Sequence, residues 1–317
     1  MCLAAFALNA DPRFPVVIAA NRDEFFARPA APMAWWQAGD VDVLAGRDLQ
    51  AGGTWFGLTR AGRLALLTNV REPERQRPDA PSRGALVLDW LTRSEPAAAY
   101  AESLAQGYNG FNLIAADFAQ GECYWASNDG SHPQRLERGI YGLSNAGLDT
   151  PWPKVTALKA RTREAIAQAG TVEELANRLF EALADRRVPA DDELPDTGVG
   201  LDKERMLAPA FIRSSDQQYG TRCSTLVITE RASRHNVTHV FERSFSPAGG
   251  MALLRRATLN HWPPRYSAGD AVQAMEGGAV SESEIDGVAA GAPAKRTRVR
   301  SLLRREPKRR RAAAVAG

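Results

Sequence analysis

Two apolar runs near the amino terminus, CLAAFAL at residues 2–8 and PVVIAANR at residues 15–22, predict the first two strands of an antiparallel sheet. Between them lies Asn9-Ala10-Asp11-Pro12, a segment rich in residues that turns favour. Asn and Asp side chains bond to nearby backbone, and proline presets a turn dihedral. The sequence therefore predicts an opening β-hairpin whose first strand starts at Cys2.

Short apolar runs and turn residues continue to alternate through the first half of the chain, which is typical of a sheet protein. The predicted strand pairs are Thr54–Thr59 with Leu64–Val70, and Phe111–Asp117 with Glu122–Ser127. Helices are predicted at Arg83–Thr92 and Pro96–Gln106. The Pro- and Ala-rich segment that contains Trp35 and Trp36 is predicted to be a long loop.

The middle of the chain changes to helical periodicity. Pro153 stands where a first-turn proline is tolerated, and Gly170 stands where a helix cap is expected. Thr171 and Glu174 then form a capping-box pattern, which predicts a second helix. A loop is predicted at Asp191–Pro209, and further strands are predicted at Thr221–Thr229 and Val237–Phe245. The order sheet, helices, sheet predicts an α+β fold.

Charge is divided unevenly along the 317 residues, in which 40 Lys+Arg face 37 Asp+Glu for a formal net charge of +3. Basic residues cluster between Lys295 and Arg311, so residues 1–246 form a mildly acidic domain of ordinary globular composition. That domain has no charge signature of specific nucleic-acid binding. Residues 247–317 are predicted to be a disordered basic tail. Its alternative role is a tether to anionic lipid or nucleic acid.

The three cysteines, Cys2, Cys123 and Cys223, form no close pair and no metal-type spacing. Their odd number argues against a disulfide framework and favours a reducing compartment, so a cytoplasmic location is predicted, with no metal and no cofactor. No run of about 20 apolar residues occurs, so no transmembrane segment is predicted. The excess of Arg and Ala is typical of GC-rich coding and suggests a bacterial source.

Cys2 is the residue that most suggests chemistry. Methionine is normally removed before a small residue, and removal of Met1 would leave a thiol and a free α-amino group on Cys2. The amine titrates near pH ~8 and a thiol near ~8.5, so the amine could act as the base that activates its own nucleophile. The alternative is that Cys2 is a small buried strand residue.

A polar cluster, Asn21-Arg22-Asp23-Glu24, follows the second apolar run. Strand alternation places Asn21 with Asp23 on one face and Arg22 with Glu24 on the other. Charged groups are costly to bury without partners, so the cluster is either a paired network that closes the strand or a polar site. The local pattern leaves both interpretations open.

Six blocks in order resemble the NRDE family, also called the transport and Golgi organisation protein 2 family, over residues 1–245. The blocks are Met1-Cys2, Asn21-Arg22-Asp23-Glu24, Gly46-Arg47-Asp48 before Gly52-Gly53-Thr54-Trp55, Leu67-Thr68-Asn69, Leu143-Ser144-Asn145 with Pro151-Trp152-Pro153-Lys154, and Tyr219-Gly220-Thr221-Arg222-Cys223-Ser224. The resemblance implies a fold like the N-terminal nucleophile hydrolases, a four-layer αββα sandwich with two stacked antiparallel sheets. It also implies similarity to their cysteine branch, which cleaves linear amides.

Carried onto this sequence, the resemblance places Cys2 as nucleophile, with Arg22 lowering its pKa and Asp23 orienting the amine. Asn69 and Asn145 correspond to two asparagines that serve binding and the oxyanion hole, and Arg222 corresponds to a late arginine beside the thiol. This sequence departs from the pattern in one respect, because enzymes of the cysteine branch place two residues between their Arg and Asp. Here the two are adjacent and should point to opposite faces.

The remaining polar residues of these blocks are candidates for the binding site. Asp48 and Thr54 are expected to shape a loop around it, because Gly52-Gly53 permits close backbone approach. Asn21 and Glu24 complete the candidate set, although Asn69 and Asn145 could equally be turn or cap residues. Arg222 could instead pair with a structural carboxylate.

Two functions are consistent with these observations. The first is a hydrolase that acts on a small-molecule amide or acyl thioester. The second is non-catalytic binding or transfer of an amphipathic metabolite, such as acyl-coenzyme A, lipid or haem, because eukaryotic members of the family are implicated in handling these. A third, weaker alternative is a binding module brought to anionic surfaces by the tail.

Overall fold

The fold was analysed in a computed structural model, which describes residues 2–104, 107–233 and 235–264. The strands are β1 Cys2–Leu8, β2 Val16–Phe25, β3 Ala30–Ala38, β4 Val41–Asp48, β5 Phe56–Thr59, β6 Arg63–Asn69, β7 Phe111–Asp117, β8 Glu122–Ser127, β9 Gln134–Arg135, β10 Gly139–Leu143, β11 Tyr219–Arg231, β12 Asn236–Phe245 and β13 Met251–Asn260. The helices are α1 Gly84–Thr92, α2 Ala97–Ser103, α3 Pro153–Gln168, α4 Val172–Leu183 and α5 Leu201–Leu207.

The strands form two antiparallel sheets. The first sheet has the order β10-β1-β2-β11-β12-β13, and the second has the order β3-β4-β5-β6-β7-β8-β9. The predicted opening hairpin is present as β1 and β2, with Cys2 opposite Arg22. Because β1 and β2 lie inside the first sheet, both edges of this hairpin are paired with neighbouring strands.

Three hydrophobic cores separate four layers. The first core joins odd-numbered residues of β1, such as Leu3 and Ala5, to α3 and α4. The second lies between the sheets and contains the even-numbered residues Ala4 and Phe6. The third packs α1 and α2 against the outer face of the second sheet, with Trp90 fully buried. The protein is therefore an αββα sandwich, which confirms the predicted α+β class and its two stacked sheets.

Helices α3 and α4 begin where the sequence predicts. Thr171 accepts a hydrogen bond from the Glu174 backbone at 3.2 Å, and the Glu174 carboxylate accepts one from the Gly170 backbone at 2.8 Å. The first bond satisfies a backbone donor that the first turn of a helix leaves unpaired, and the second holds the residue that precedes the cap. The capping box thus directs the start of α4, whose buried face lies in the first core.

Two predicted loops are wrong in part. The segment with Trp35 and Trp36 forms the hairpin β3–β4, in which Trp35 packs on the core between the sheets and Trp36 on the outer core. Alternate faces are thus occupied as in any strand, although alanine-rich sequence has weak strand propensity. The predicted loop Asp191–Pro209 contains the helix α5, whose Glu204 is buried.

The predicted domain boundary after residue 246 is also wrong, because the residues that directly follow it belong to the folded domain. Strand β13 pairs with β12 along its length and extends the first sheet, so the chain remains folded beyond Pro247. Trp262 is buried between the sheets, where its ring meets Phe118 edge-on at 5.8 Å. The rest of the predicted tail, residues 265–317, lies outside the described residues.

Candidate functional site

Cys2 opens β1 at one end of the cleft between the sheets. It shares the inward face of Ala4 and Phe6, and it lines a cavity of about 380 Å³. Opposite Cys2, the second sheet and its flanking loops contribute Trp55, Leu67 and Asn69, and the start of α1 contributes Ser82 and Arg83. A thiol at a strand terminus thus faces a chamber walled by both sheets.

Arg22 lies beside the Cys2 side chain, because the two residues are cross-strand partners. Its side chain is only 6% exposed, and its guanidinium stacks over the Trp55 ring at 4.1 Å. Glu24 lies 3.7 Å from Arg22 Nη2, while the buried Nη1 atom makes no hydrogen bond with any described residue. Arg22 is therefore a desolvated cation at the wall of the cavity, with one donor group unused.

Asp23 is buried one position beyond the pairing of Cys2 with Arg22. Its carboxylate accepts a hydrogen bond from the Thr221 hydroxyl at 2.7 Å, and its backbone N–H is directed at the Cys2 sulfur. Burial raises the pKa of the Asp23 carboxyl, and the ammonium of Lys154 opposes that shift. Arg22 and Asp23 lie on opposite faces of β2, yet both border Cys2. Arg22 is its cross-strand partner, and Asp23 lies beyond the end of β1, where Cys2 is the first residue.

The Cys2 thiol is held largely in its neutral form. Burial raises its pKa, and the Asp23 carboxylate acts in the same direction. Arg22 opposes the shift by favouring the thiolate. Because only the thiolate is a strong nucleophile, chemistry at Cys2 requires a base that removes the proton during attack.

Asn69 and Asn145 occupy different positions relative to the cavity. Asn69 ends β6 and lines the cavity, whereas Asn145 is buried behind it and donates a hydrogen bond to the Asn69 carbonyl at 2.8 Å. The neighbouring Ser144 hydroxyl donates to the Cys2 carbonyl at 3.0 Å. The segment after β10 therefore fixes the backbone of both Cys2 and Asn69, and only Asn69 reaches the cavity.

Arg222 does not line the cavity. It is the extra residue at a register shift between β11 and β2, where Thr221 pairs with Asp23 and Cys223 pairs with Arg22. Its guanidinium donates to the carbonyls of Phe25 at 2.7 Å and Arg28 at 2.9 Å. Its observed contacts thus hold the turn between β2 and β3, and the place beside the thiol that the resemblance implies is taken by Arg22.

The four binding candidates divide into two groups. Glu24, Asp48 and Thr54 line the cavity. Asp48 also accepts hydrogen bonds from the Arg28 side chain and from two backbone N–H groups of its own loop. Asn21 lies on the other face, where its amide donates to the carbonyls of Leu183 and Ala210 at 2.9 and 2.8 Å. Asn21 therefore joins β2 to the helical layer and does not reach the cavity.

A second polar cluster lies behind the site, and local sequence reasoning did not identify it. Lys154, in the first turn of α3, donates to the Leu207 carbonyl at 2.8 Å, and burial lowers its pKa to about 8. Arg71 forms a buried ion pair with Glu204 and lies over the Trp152 ring. The available sequence signal for this cluster is a lysine and a glutamate at buried positions of two helices. That signal becomes visible only once the helices are placed.

Replacing Glu204 by glutamine is expected to destabilise the protein by about 3–5 kcal/mol, because the buried Arg71 guanidinium would lose the carboxylate with which it forms its ion pair. Urea unfolding measures this change. The matched control is Asp202→Asn on the same helix, which removes a carboxylate that is 97% exposed and should alter stability little. Equal stability of the two variants would contradict the structural role of the buried pair.

Two further kinds of site can be assessed in residues 2–104, 107–233 and 235–264. Those residues contain no group of three or more His, Cys, Asp or Glu side chains that could hold a metal ion. The same residues contain no helix that is both long and apolar enough to cross a membrane.

Comparison with known proteins reveals clear relatives. The chain is similar to the mouse transport and Golgi organization 2 homolog, with 34% identity over 73% of this chain and 89% of the mouse protein. It is similar to the human homolog, with 31% identity over 84% of this chain and 97% of the human protein. Both relatives are eukaryotic and give no support to the suggested bacterial source.

Among solved structures, the chain is similar to a Caenorhabditis elegans ortholog of N-acylethanolamine-hydrolyzing acid amidase. That match has a TM-score of 0.41 and 11% identity, and it covers 72% of this chain and 92% of the other. A mutant of the conjugated bile acid hydrolase from Clostridium perfringens matches with a TM-score of 0.39 and 8% identity, over 81% of this chain and 96% of the other.

The sequence model described as transport and Golgi organisation 2 matches residues 1–247. This match covers both sheets except β13 and every residue of the cavity described above. The chain belongs to the transport and Golgi organisation 2 family.

Proposed function

We propose that the protein is a cysteine N-terminal nucleophile hydrolase that cleaves a linear amide or an acyl thioester. One observation carries the proposal. Cys2 lies at the very start of β1, with its thiol facing a cavity, Arg22 beside it and Asp23 past its amino end. A structural cysteine would need neither the cavity nor the buried charges on either side.

The proposed reaction begins when the α-amine of Cys2 accepts the thiol proton while sulfur attacks the substrate carbonyl carbon. The carbonyl π electrons move to oxygen, and the side-chain amide of Asn69, which lines the cavity, holds the resulting oxyanion. Collapse breaks the bond to nitrogen or sulfur, and the ammonium returns a proton to the leaving group. Water then attacks the acyl-enzyme by the same route, which releases the acid and restores the thiol.

The mechanism requires that the mature chain begin at Cys2. In that form the α-amine lies next to Asp23, whose carboxylate can orient it. The buried cations Lys154 and Arg22 help to keep the carboxylate charged, because both oppose the effect of burial on the pKa of Asp23. Intact-mass measurement of the purified protein tests the requirement, and a chain that retains Met1 would rule out the amine as base.

The second candidate function is binding or transfer of an amphipathic metabolite, such as acyl-coenzyme A, a lipid or haem, without turnover. A specific observation favours it. Arg222 and Asn145, which the resemblance assigns to catalysis, make structural contacts and do not line the cavity. A site that lacks these groups could bind a ligand and leave it unchanged.

Turnover assays on the full chain distinguish the two functions. The protein is incubated with a panel of N-acyl amides and acyl thioesters, release of amine or thiol is followed, and binding of each compound is measured by calorimetry. Saturable release supports the hydrolase. Saturable binding without release, by a chain shown to start at Cys2, would contradict it and support the carrier. The cytoplasmic location and the contact of the tail with anionic surfaces remain predictions.

A further inference from the structure

Two arginines of the cavity have guanidinium donors that no described residue accepts. Arg22 has a buried Nη1 atom without a hydrogen-bond partner among them, although its side chain is more than nine-tenths buried. A desolvated guanidinium donor without an acceptor is costly. An acceptor supplied by a ligand in the cavity would remove that cost.

Arg83 is the second such arginine. It lines the same cavity and donates one hydrogen bond, to the Gly110 carbonyl at 2.9 Å. It forms no ion pair with any described residue, and its electrostatic neighbours include Cys2 and Glu24. The Arg83 guanidinium therefore lies within electrostatic reach of the thiol, and it has N–H groups that could donate further hydrogen bonds.

The acidic residues around the cavity are otherwise engaged. Asp48 is paired with Arg28, whose Nη2 lies 2.7 Å from the carboxylate. Glu24 accepts a hydrogen bond from its neighbouring backbone at 2.9 Å and approaches only Nη2 of Arg22. Asp23 bonds to Thr221 on the opposite face of β2. None of these hydrogen bonds and ion pairs is with Arg22 Nη1 or Arg83, although Glu24 acts on Arg83 electrostatically.

The start of α1 faces the same space. Ser82, Arg83 and Gly84 line the cavity, no side chain caps the helix, and its first turn contains no acidic residue. The N-terminus of a helix carries partial positive charge and favours an anion. On its own this feature would not define a site, but it adds to the unused donor of Arg22.

We propose that the cavity is a binding site for an anionic group of the substrate. Arg22 Nη1, the Arg83 guanidinium and the start of α1 bind a carboxylate or phosphate group next to Cys2. The proposal rests on the proposed function only in taking Cys2 as the reacting group. Cys2, Arg22 and Arg83 line the same cavity of about 380 Å³, so an anionic group bound by the arginines would lie close to the carbonyl that Cys2 would attack. The substrates would then be acyl compounds with an anionic group close to the cleaved bond.

Alkylation of Cys2 tests this without any need for turnover. Iodoacetate and iodoacetamide have the same leaving group and nearly the same size, and only iodoacetate is anionic. Each forms a sulfur–carbon bond as iodide leaves. The two rates at Cys2 are followed by peptide mass spectrometry, and glutathione gives the ratio for a free thiol. We expect the iodoacetate-to-iodoacetamide ratio at Cys2 to exceed that of glutathione by ~10-fold or more.

Variants of Arg83 test whether this residue causes the higher alkylation ratio. Arg83→Gln should lower the ratio by ~5-fold or more, and Arg83→Lys should retain most of it, because lysine keeps the charge. The matched control is Arg75→Gln, which changes an arginine that is 72% exposed and does not line the cavity. The ratio cancels a change in thiol exposure that affects both reagents equally. Unfolded chain would react with the ratio of a free thiol, so the rates are compared for variants that circular dichroism shows to be folded.

Protection experiments distinguish the two anions. Acetate that slows iodoacetate alkylation at lower concentration than inorganic phosphate indicates a carboxylate site, and the reverse order indicates a phosphate site. A ratio at Cys2 equal to that of glutathione, or one unchanged by Arg83→Gln, would overturn the proposal. Loss of the hydrolase function with the high ratio intact would refute only the proposed reaction, so the two failures are distinguishable.

Discussion

Replacing Cys2 by alanine is expected to lower hydrolysis of the best amide or thioester substrate on the order of 10³-fold or more, because no other described thiol lines the cavity. Binding of the same substrate should change little, since the thiol is one small group among many that contact the cavity. The measurement is steady-state turnover together with calorimetric binding. A drop in kcat with little change in Kd is the result expected for a nucleophile.

The matched control is Cys123→Ala. Cys123 is a buried thiol on β8 of the second sheet and lies outside this cavity, so its removal should leave turnover intact in folded protein. A Cys2→Ala protein that retains its turnover would contradict the proposed mechanism. Equal loss in both variants would indicate that stability, and not the nucleophile, had been changed.

Ending the chain at Ser246 is expected to abolish cooperative unfolding, because it removes β13 and Trp262. Trp262 joins the two sheets: its indole donates to the Thr59 carbonyl at 2.7 Å, and its own carbonyl accepts from the Thr238 hydroxyl at 2.9 Å. Loss of a buried tryptophan side chain alone costs about 3–5 kcal/mol, of a total stability that is about 5–15 kcal/mol for typical domains. Removing the strand adds the loss of its pairing with β12.

Thermal and urea unfolding followed by circular dichroism tests this. The control is a chain that ends at Pro264, which keeps β13 and Trp262 and should unfold cooperatively. The point variant Trp262→Ala should fall between the two. If the chain that ends at Ser246 were as stable as the one that ends at Pro264, the assignment of β13 to the folded domain would be wrong.

The parts of the fold that were predicted correctly rely on local signals. Two apolar runs separated by turn residues identified β1 and β2, and a proline at the first turn with the Thr171–Glu174 capping box identified α3 and α4. These patterns act within a few residues of one another. They could therefore be recognised without knowing what each element packs against.

The missed strands lack such signals. β13 is exposed on both faces for most of its length, so its sequence shows no alternation, and its basic pair Arg255-Arg256 resembles a solvated tail. β10 contains Gly139 and Gly142, which weaken strand propensity. At Gly142 a Cβ atom would lie 2.6 Å from the Val155 side chain, so the glycine permits α3 to pack closely on the sheet. That reason appears only in the tertiary structure.

The candidate site, like the fold, was predictable only where neighbouring stretches of sequence define it. Arg22 and Asp23 lie near Cys2 because a hairpin of this length brings its ends together. Lys154 and Arg83 reach the site from helices that are distant from Cys2 in the sequence. No local spacing of residues predicts their place there. Conversely, a motif match placed Arg222 at the thiol, whereas the register shift in β11 directs its guanidinium to two backbone carbonyls. Side-chain direction at a bulge depends on pairing that a motif does not contain.

The central claim is that Cys2 is a nucleophile that carries the acyl group, and mass spectrometry of the protein during turnover tests it most directly. The chain is mixed with an acyl thioester, quenched in acid within the first turnovers, digested and analysed. We expect an acyl group on the peptide that begins with Cys2, absent from the Cys2→Ala protein and lost on longer incubation. Substrate turnover with no acyl group on Cys2 at any time would contradict it.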